Sequence, residues 1–176
     1  QVIGRHVEEG GFLDQRDFIE VMVSAPSALC WQFLPGMRER GYGRIVNVAS
    51  LAGLVPGTPG HTLYAASKAF LVKFSEALAG ECLADGVHVT AVCPGFTYSE
   101  FHDVTGTRDQ VSQMPGPLWM DAPTVAEQGY AAVMRGTPVY INGRVNRTLA
   151  WLARVMPQGL VRRAVAGSGK RFRKTD

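Results

Sequence analysis

Tyr64 and Lys68 are the residues from which chemistry can first be argued. They stand four apart, so on a helix they share one face. A phenol ionises near ~10 and is a poor acid or base at neutral pH. An ammonium held beside it favours the phenolate and lowers that value. Such a pair can pass a proton to or from a bound molecule. The spacing alone is commonplace, and its plain alternative is an exposed helix with an ordinary Tyr and Lys. Ser50, fourteen positions before Tyr64, adds context, because its hydroxyl can hydrogen-bond a carbonyl or alkoxide oxygen. A lone serine there would most often be a turn residue. Pro94-Gly95, followed by Thr97 and Ser99, is a second candidate. It is a turn by composition, and of interest for what it lies beside.

The elements that must position these residues alternate along the chain. Phe18, Val21, Met22, Ala25, Leu29 and Phe33 recur at helical spacing and predict a helix from about Asp14 to Met37, kinked or broken at Pro26. Arg44 to Ala49 (RIVNVA) reads as a buried strand, and a Gly/Pro-rich loop follows from Ala52 to Gly60. A second helix is predicted from Leu63 to Leu83, with Phe70, Phe74, Ala77 and Leu78 on its apolar side. Val87 to Val92 (VHVTAV) is a second buried-type strand, stopped by Pro94-Gly95. Phe96 to Met120 has little periodicity, and loops of that length are usually functional. Asp121 or Thr124 can cap a third helix running to about Arg135, and Pro138 to Ile141 predicts a short strand. From Val145 onward the chain is amphipathic and basic, with Arg154, Arg162, Arg163, Lys170, Arg171, Arg173 and Lys174. This order predicts an α/β fold with a parallel sheet covered by helices. In such sheets ligands bind beyond the carboxyl ends of the strands, which directs attention to Ser50 and to Cys93-Pro94-Gly95.

Composition narrows the classes. At 176 residues and 19.1 kDa the chain has the length of one domain, and with 46% hydrophobic and 19% charged residues it can form a real core. A formal net charge of +3 gives no argument for nucleic acid as a partner. The three cysteines, Cys30, Cys82 and Cys93, are odd in number and lack CxxC spacing, so neither a disulfide framework nor a metal site is indicated. No apolar run reaches the ~18 residues of a membrane span, and the first residues hold no apolar signal core, so a reduced, cytoplasmic setting is the expectation.

Three runs, in order, carry a resemblance to a known family: GRIVNVASLAG, YAASKAF and VTAVCPGFTYSEF. Together with LPGMRERGYGRIVNVAS they resemble the short-chain dehydrogenase/reductase family over about Phe18 to Leu160. PLWMDAPTVAEQGYAAVMRG and NGRVNRTLAWLARVMPQ are similar to a bacterial branch of varied substrate specificity. The resemblance implies a Rossmann-type doubly wound sheet and an NAD(P)-dependent enzyme that interconverts an alcohol and a carbonyl. Tyr64 is then general acid in reduction and base in oxidation. Lys68 lowers its pKa and binds the nicotinamide ribose, and Ser50 polarises the substrate oxygen. Pro94, Gly95 and Thr97 line the nicotinamide pocket. Ser99 falls where the family usually has a threonine reaching the carboxamide, and Phe96 to Met120 covers the substrate. Trp119 and Met120 read either as an apolar lid, which suits an apolar small-molecule substrate, or as anchors of the loop to the core. The two long helices resemble those that pair family members into homodimers or tetramers.

The chain departs from the family in two places. It has no TGxxxGxG turn to hold a pyrophosphate at a helix N-terminus, no NNAG strand, and no residue to separate NAD from NADP. It is therefore expected to be the C-terminal two-thirds of a member: a partial catalytic domain over residues 1–142 with a basic helical tail, 143–176, of the same domain. A sheet lacking those strands is expected to show a free edge and an uncovered apolar face. The second departure is Met22, which falls where the family often has an asparagine in the proton relay; a thioether donates no hydrogen bond. Both departures raise an alternative, a truncated, non-catalytic interaction module. A third reading, compatible with either, lays the basic tail on an anionic membrane through Trp151, Leu152, Val155 and Met156. His61 and His102 are weaker candidates for substrate contact, and Cys93 is expected to be a buried strand-end residue, not a nucleophile.

Overall fold

A computed structural model describes residues 11–57, 59–100, 112, 114–157 and 159–161. Helix α1 (Phe12–Ile19), a π-helical turn (Glu20–Ser24) and α2 (Ala25–Glu39) form the first helical run. Strand β1 (Gly43–Val48), a 3-10 turn (Leu51–Gly53), α3 (Thr62–Glu81) and β2 (Val87–Cys93) follow. Two short strands, β3 (Phe96–Tyr98) and β4 (Trp119–Asp121), precede α4 (Ala122–Met134), β5 (Val139–Ile141) and α5 (Arg144–Val155).

The main sheet is parallel, in the order β1-β2-β5. β1 and β2 pair in register from Gly43 opposite Val87 to Val48 opposite Val92. Ala91 to Cys93 pair with Val139 to Ile141. β2 is the central strand and is buried along nearly its whole length. Its Val87 and Val89 pack with Cys30, Leu78 and Cys82 on the α2–α3 side. Its Ala91 and Cys93 join Ala49, Leu71 and Val72 in a second cluster. Burial of each valine contributes about 1.5–3 kcal/mol. Among the described residues β1 has a partner on one edge only, and Val46 and Val48 remain 42% and 59% exposed. Among the described residues β1 therefore has a free edge, and an apolar face beside it is uncovered.

Three local expectations are corrected. The first helical run is interrupted just before Pro26, where it widens into the π turn. Pro26 has no N–H to donate to the preceding turn. The π turn takes up that defect, and Ser27 Oγ donates to the Val23 carbonyl (2.8 Å). As a result the apolar series Val21, Leu29 and Phe33 faces out, and Cys30, Leu34 and Met37 face the core. On α3, Phe70 and Ala77 lie on the exposed side, and the buried stripe is Ser67, Lys68, Leu71, Val72, Ser75 and Leu78. Its polar members are satisfied: Ser67 Oγ donates to the Tyr64 carbonyl (2.9 Å) and Asn47 Nδ2 donates to Ser75 Oγ (2.9 Å). Finally, the two ends of the aperiodic 96–120 stretch are strands. β3 and β4 pair in parallel, and Tyr98 and Phe96 both lie against the Trp119 ring.

Candidate active site

Ser50 follows β1, and Pro94-Gly95 follows β2. Parallel register brings these two strand ends together. Ala49 N–H donates to the Val92 carbonyl (2.8 Å) and Leu51 N–H to the Pro94 carbonyl (2.9 Å). Ser50 caps the 3-10 turn by accepting from Ala52 N–H at 3.1 Å. That turn rests on α3 through Gly53. A Cβ at this position would lie 2.6 Å from the Lys68 carbonyl carbon and 2.7 Å from Ala69 N. Only a glycine lets the main chain come so close.

Tyr64 and Lys68 stand in the first turns of α3, on the side facing Ser50. A hydrogen bond joins Ser50 and Tyr64. Lys68 is 7% exposed, and its Nζ donates to the Val48 carbonyl at 2.8 Å and lies 5.7 Å from the Tyr64 ring centroid. The ammonium is thus beside the ring, held by the backbone that precedes Ser50. Burial raises the Tyr64 pKa, with the Ser50 hydrogen bond working against it. The direction is opposite to that expected from the Tyr–Lys spacing, because desolvation outweighs a cation aimed at a carbonyl. Burial lowers the Lys68 pKa. Cys93 is wholly buried between the Ser50 backbone N–H and Lys68, and burial pushes its thiol up to about 12. It is a protonated strand-end residue, as its sequence position suggested.

The Pro94–Thr97 turn lies at the same sheet edge and is closed by Thr97 Oγ1 donating to the Gly95 carbonyl (3.2 Å). Ser99 is exposed beyond β3. His61 is the residue before α3, three ahead of Tyr64, and burial lowers its pKa, keeping it neutral near pH 7. Met22 sits half-buried in the π turn. His102 lies outside the described residues. A cavity of about 950 Å³ between α3 and α5 is lined by Val72, Ile141, Arg147 and Trp151 but by none of Ser50, Tyr64 and Lys68. Two contributors were not singled out from the sequence: Gly53, which seats the Ser50 turn, and the Val48 carbonyl, which holds Lys68.

A sequence model described as short chain dehydrogenase matches residues 7–110. The chain is 38% identical over 96 residues to the 2-keto-3-deoxy-L-fuconate dehydrogenase of Xanthomonas campestris, covering 51% of this chain and 32% of that protein. It is 30% identical over 136 residues to the 3-oxoacyl-(acyl-carrier-protein) reductase FabG of Haemophilus influenzae, covering 72% of this chain and 56% of that protein. Among solved structures, a short-chain dehydrogenase from Streptomyces avermitilis superposes with a TM-score of 0.67 at 28% identity, over 98% of this chain and 67% of that one. The actinorhodin polyketide ketoreductase, solved with NADPH, gives 0.66 at 25% identity over 81% and 62% of the two chains. The chain thus spans 32% to 56% of the length of the two curated relatives named.

Proposed function

Because the chain belongs to the short-chain dehydrogenase family, we propose that it forms the catalytic part of an NAD(P)-dependent oxidoreductase that interconverts an alcohol and a carbonyl. The observation that carries this reading is the assembly of Ser50, Tyr64 and buried Lys68 at the carboxyl ends of β1 and β2, beside the Pro94–Thr97 turn. That assembly also weighs against the non-catalytic alternative, since an interaction module has no use for a buried ammonium beside a phenol. In reduction Ser50 Oγ donates to the carbonyl oxygen and Tyr64 gives its proton to that oxygen as the carbon gains hydride. Tyr64, with its pKa raised, holds the proton it must give at neutral pH. In oxidation the Tyr64 phenolate oxygen takes the proton back from the substrate alcohol. Met22 offers no donor, so Tyr64 must be recharged by a route that does not use that side chain.

The residues present fit one end of a nicotinamide dinucleotide. Val48 takes one of the three Lys68 donors, which leaves two for ribose hydroxyls. The Pro94, Gly95 and Thr97 turn and Ser99 would hold the nicotinamide carboxamide. The nicotinamide supplies or accepts the hydride. No residue of this chain offers the glycine-rich pyrophosphate turn, and NAD is not distinguished from NADP. The relative solved with NADPH supports the cofactor class. The exposed apolar series Val21, Leu29 and Phe33 is what a second copy would cover, which supports a homodimer or tetramer. Of the expected lipid-facing set, Trp151, Val155 and Met156 are exposed beside Arg147 and Arg154 and support contact with an anionic membrane, while Leu152 is half-buried. Vesicle co-sedimentation that survives deletion of the chain after Asn142 would reject that contact.

The deciding experiment is Tyr64→Phe in the full-length protein. Turnover should fall nearly to zero with an unchanged circular dichroism spectrum. Undiminished turnover would reject the mechanism.

A further inference from the structure

Gly95 occupies a point of the Pro94–Thr97 turn that leaves no room for a side chain. A Cβ there would stand 2.6 Å from Asn146 Nδ2, 2.7 Å from Oδ1 and 2.8 Å from Cγ. All three are side-chain atoms of one residue in the first turn of α5. Asn146 is 3% exposed, and its Nδ2 donates to the Asn142 carbonyl at 2.8 Å. Asn142 is fully buried, and its own Nδ2 donates to the Val125 carbonyl (3.3 Å) and Gln128 Oε1 (3.2 Å) of α4. The intervening Gly143 has φ +81, and a Cβ there would meet Met120 Sδ at 2.9 Å and Asn146 Nδ2 at 3.3 Å. A ladder of amides therefore runs from α4 through the end of β5 to α5 and ends against Gly95. Buried amides held this way are costly to displace, so the ladder is stiff.

We propose that Asn146 is a positioning residue. It is the backstop that fixes the Pro94–Thr97 turn, and through it the place of the nicotinamide end of a bound dinucleotide. Gly95 is then glycine because Asn146 fills the space of its side chain. The inference rests on the proposed role of the turn in holding the cofactor.

The test is a two-residue cycle in the full-length protein, with NADPH and NADH as probes and affinity read by fluorescence titration. Asn146→Ala removes all three crowding atoms, and Gly95→Ala adds one methyl group. Displacement of a positioning group by an ångström can cost about a hundredfold. Gly95→Ala should therefore raise Kd about a hundredfold, and Asn146→Ala about tenfold, by letting the turn relax. The double variant should bind about tenfold more tightly than Gly95→Ala alone, because the methyl group now has room. A double variant no better than Gly95→Ala would overturn the inference. So would an Asn146→Ala protein with a lowered melting temperature and an unchanged Kd, which would make the residue merely structural. Should Gly95→Ala fail to fold, the melting temperature of the double variant must recover; if it does not, the steric pairing is wrong. A wild-type protein that binds neither dinucleotide would overturn the cofactor reading and this inference with it. Wild-type binding unaffected by either substitution would overturn this inference alone.

Discussion

The turn after β1 and the turn after β2 leave the sheet side by side and are bonded to each other through Leu51 N–H and the Pro94 carbonyl, 2.9 Å apart. They are fixed by different means. Gly53 of the first turn rests on main chain: the atoms its Cβ would meet are Lys68 C, Ala69 N and Lys68 O, at 2.6, 2.7 and 2.8 Å. Gly95 of the second rests on the side chain of Asn146. A helix backbone cannot retreat from a methyl group, whereas an amide can be replaced by a smaller residue. The position of Ser50 relative to Tyr64 is therefore set rigidly by the packing of one turn on α3. The position of the turn after β2 is set by an exchangeable residue in α5. In the proposed site the half that would handle the proton is built into the backbone, and the half that would hold the dinucleotide can be tuned.

The largest effect should come from Gly53→Ala. The methyl group must push the 3-10 turn off α3, at a cost of about 3 kcal/mol. Thermal unfolding should show a marked fall in Tm, with turnover lost as Ser50 moves. No shortening of a side chain at Lys68 or Ala69 should rescue it, because the crowding atoms are backbone. A Gly53→Ala protein with wild-type Tm would remove the asymmetry between the turns.

Lys68→Met comes next. Lys68 ties α3 to the end of β1, just ahead of the first turn, through its bond to the Val48 carbonyl at 2.8 Å. The variant loses that bond but also a desolvated charge, and the two offset, so stability should shift by no more than about 1 kcal/mol in urea unfolding. Turnover should nevertheless fall steeply. A collapse of stability with turnover preserved would make Lys68 a structural tie only.

A pH series separates the two halves without mutation. Since burial raises the Tyr64 pKa, the phenol stays protonated through neutral pH and beyond its ordinary value of 10.0. Reduction rate should hold level across neutral pH and fall only at strongly alkaline pH, while dinucleotide affinity follows a different profile. An inflection in reduction below the ordinary tyrosine value would mean that the cation, not burial, governs the phenol.

Much of this was legible in the chain. VHVTAV reads as a buried strand because apolar and β-branched residues occupy both faces, and β2 is buried on both. Asp121 reads as a cap, and its side chain accepts from Thr124 N–H at 2.8 Å. Ser50, Tyr64 and Lys68 stand out only together, within runs that resemble the short-chain dehydrogenase/reductase family. What could not be read was which side of each helix is buried. On α3 the buried stripe contains Ser67, Lys68 and Ser75, whose burial depends on partners in other elements. On the first helical run the π turn shifts the face that hydrophobic spacing would select. Gly53 and Asn146 lie within the quoted runs, but their roles could not be read there for a related reason. Each matters through a contact with a distant part of the chain, and neither local propensity nor periodicity reports such contacts.

The smallest expected effect tests how far the second turn depends on its own internal bond. Thr97 Oγ1 donates to the Gly95 carbonyl at 3.2 Å, a long and partly exposed hydrogen bond within the turn. Thr97→Val keeps the shape of the side chain and deletes the donor. The Gly95 carbonyl can turn to solvent, so the loss should be about 0.5–1 kcal/mol, or a two- to fivefold rise in dinucleotide Kd. If the Asn146 backstop holds the turn, this loss should be well below that of Asn146→Ala measured in the same titration. If instead Thr97→Val costs as much as Asn146→Ala or more, the turn is held from within. The contrast between a backbone-fixed first turn and a side-chain-fixed second turn would then have to be redrawn around Thr97.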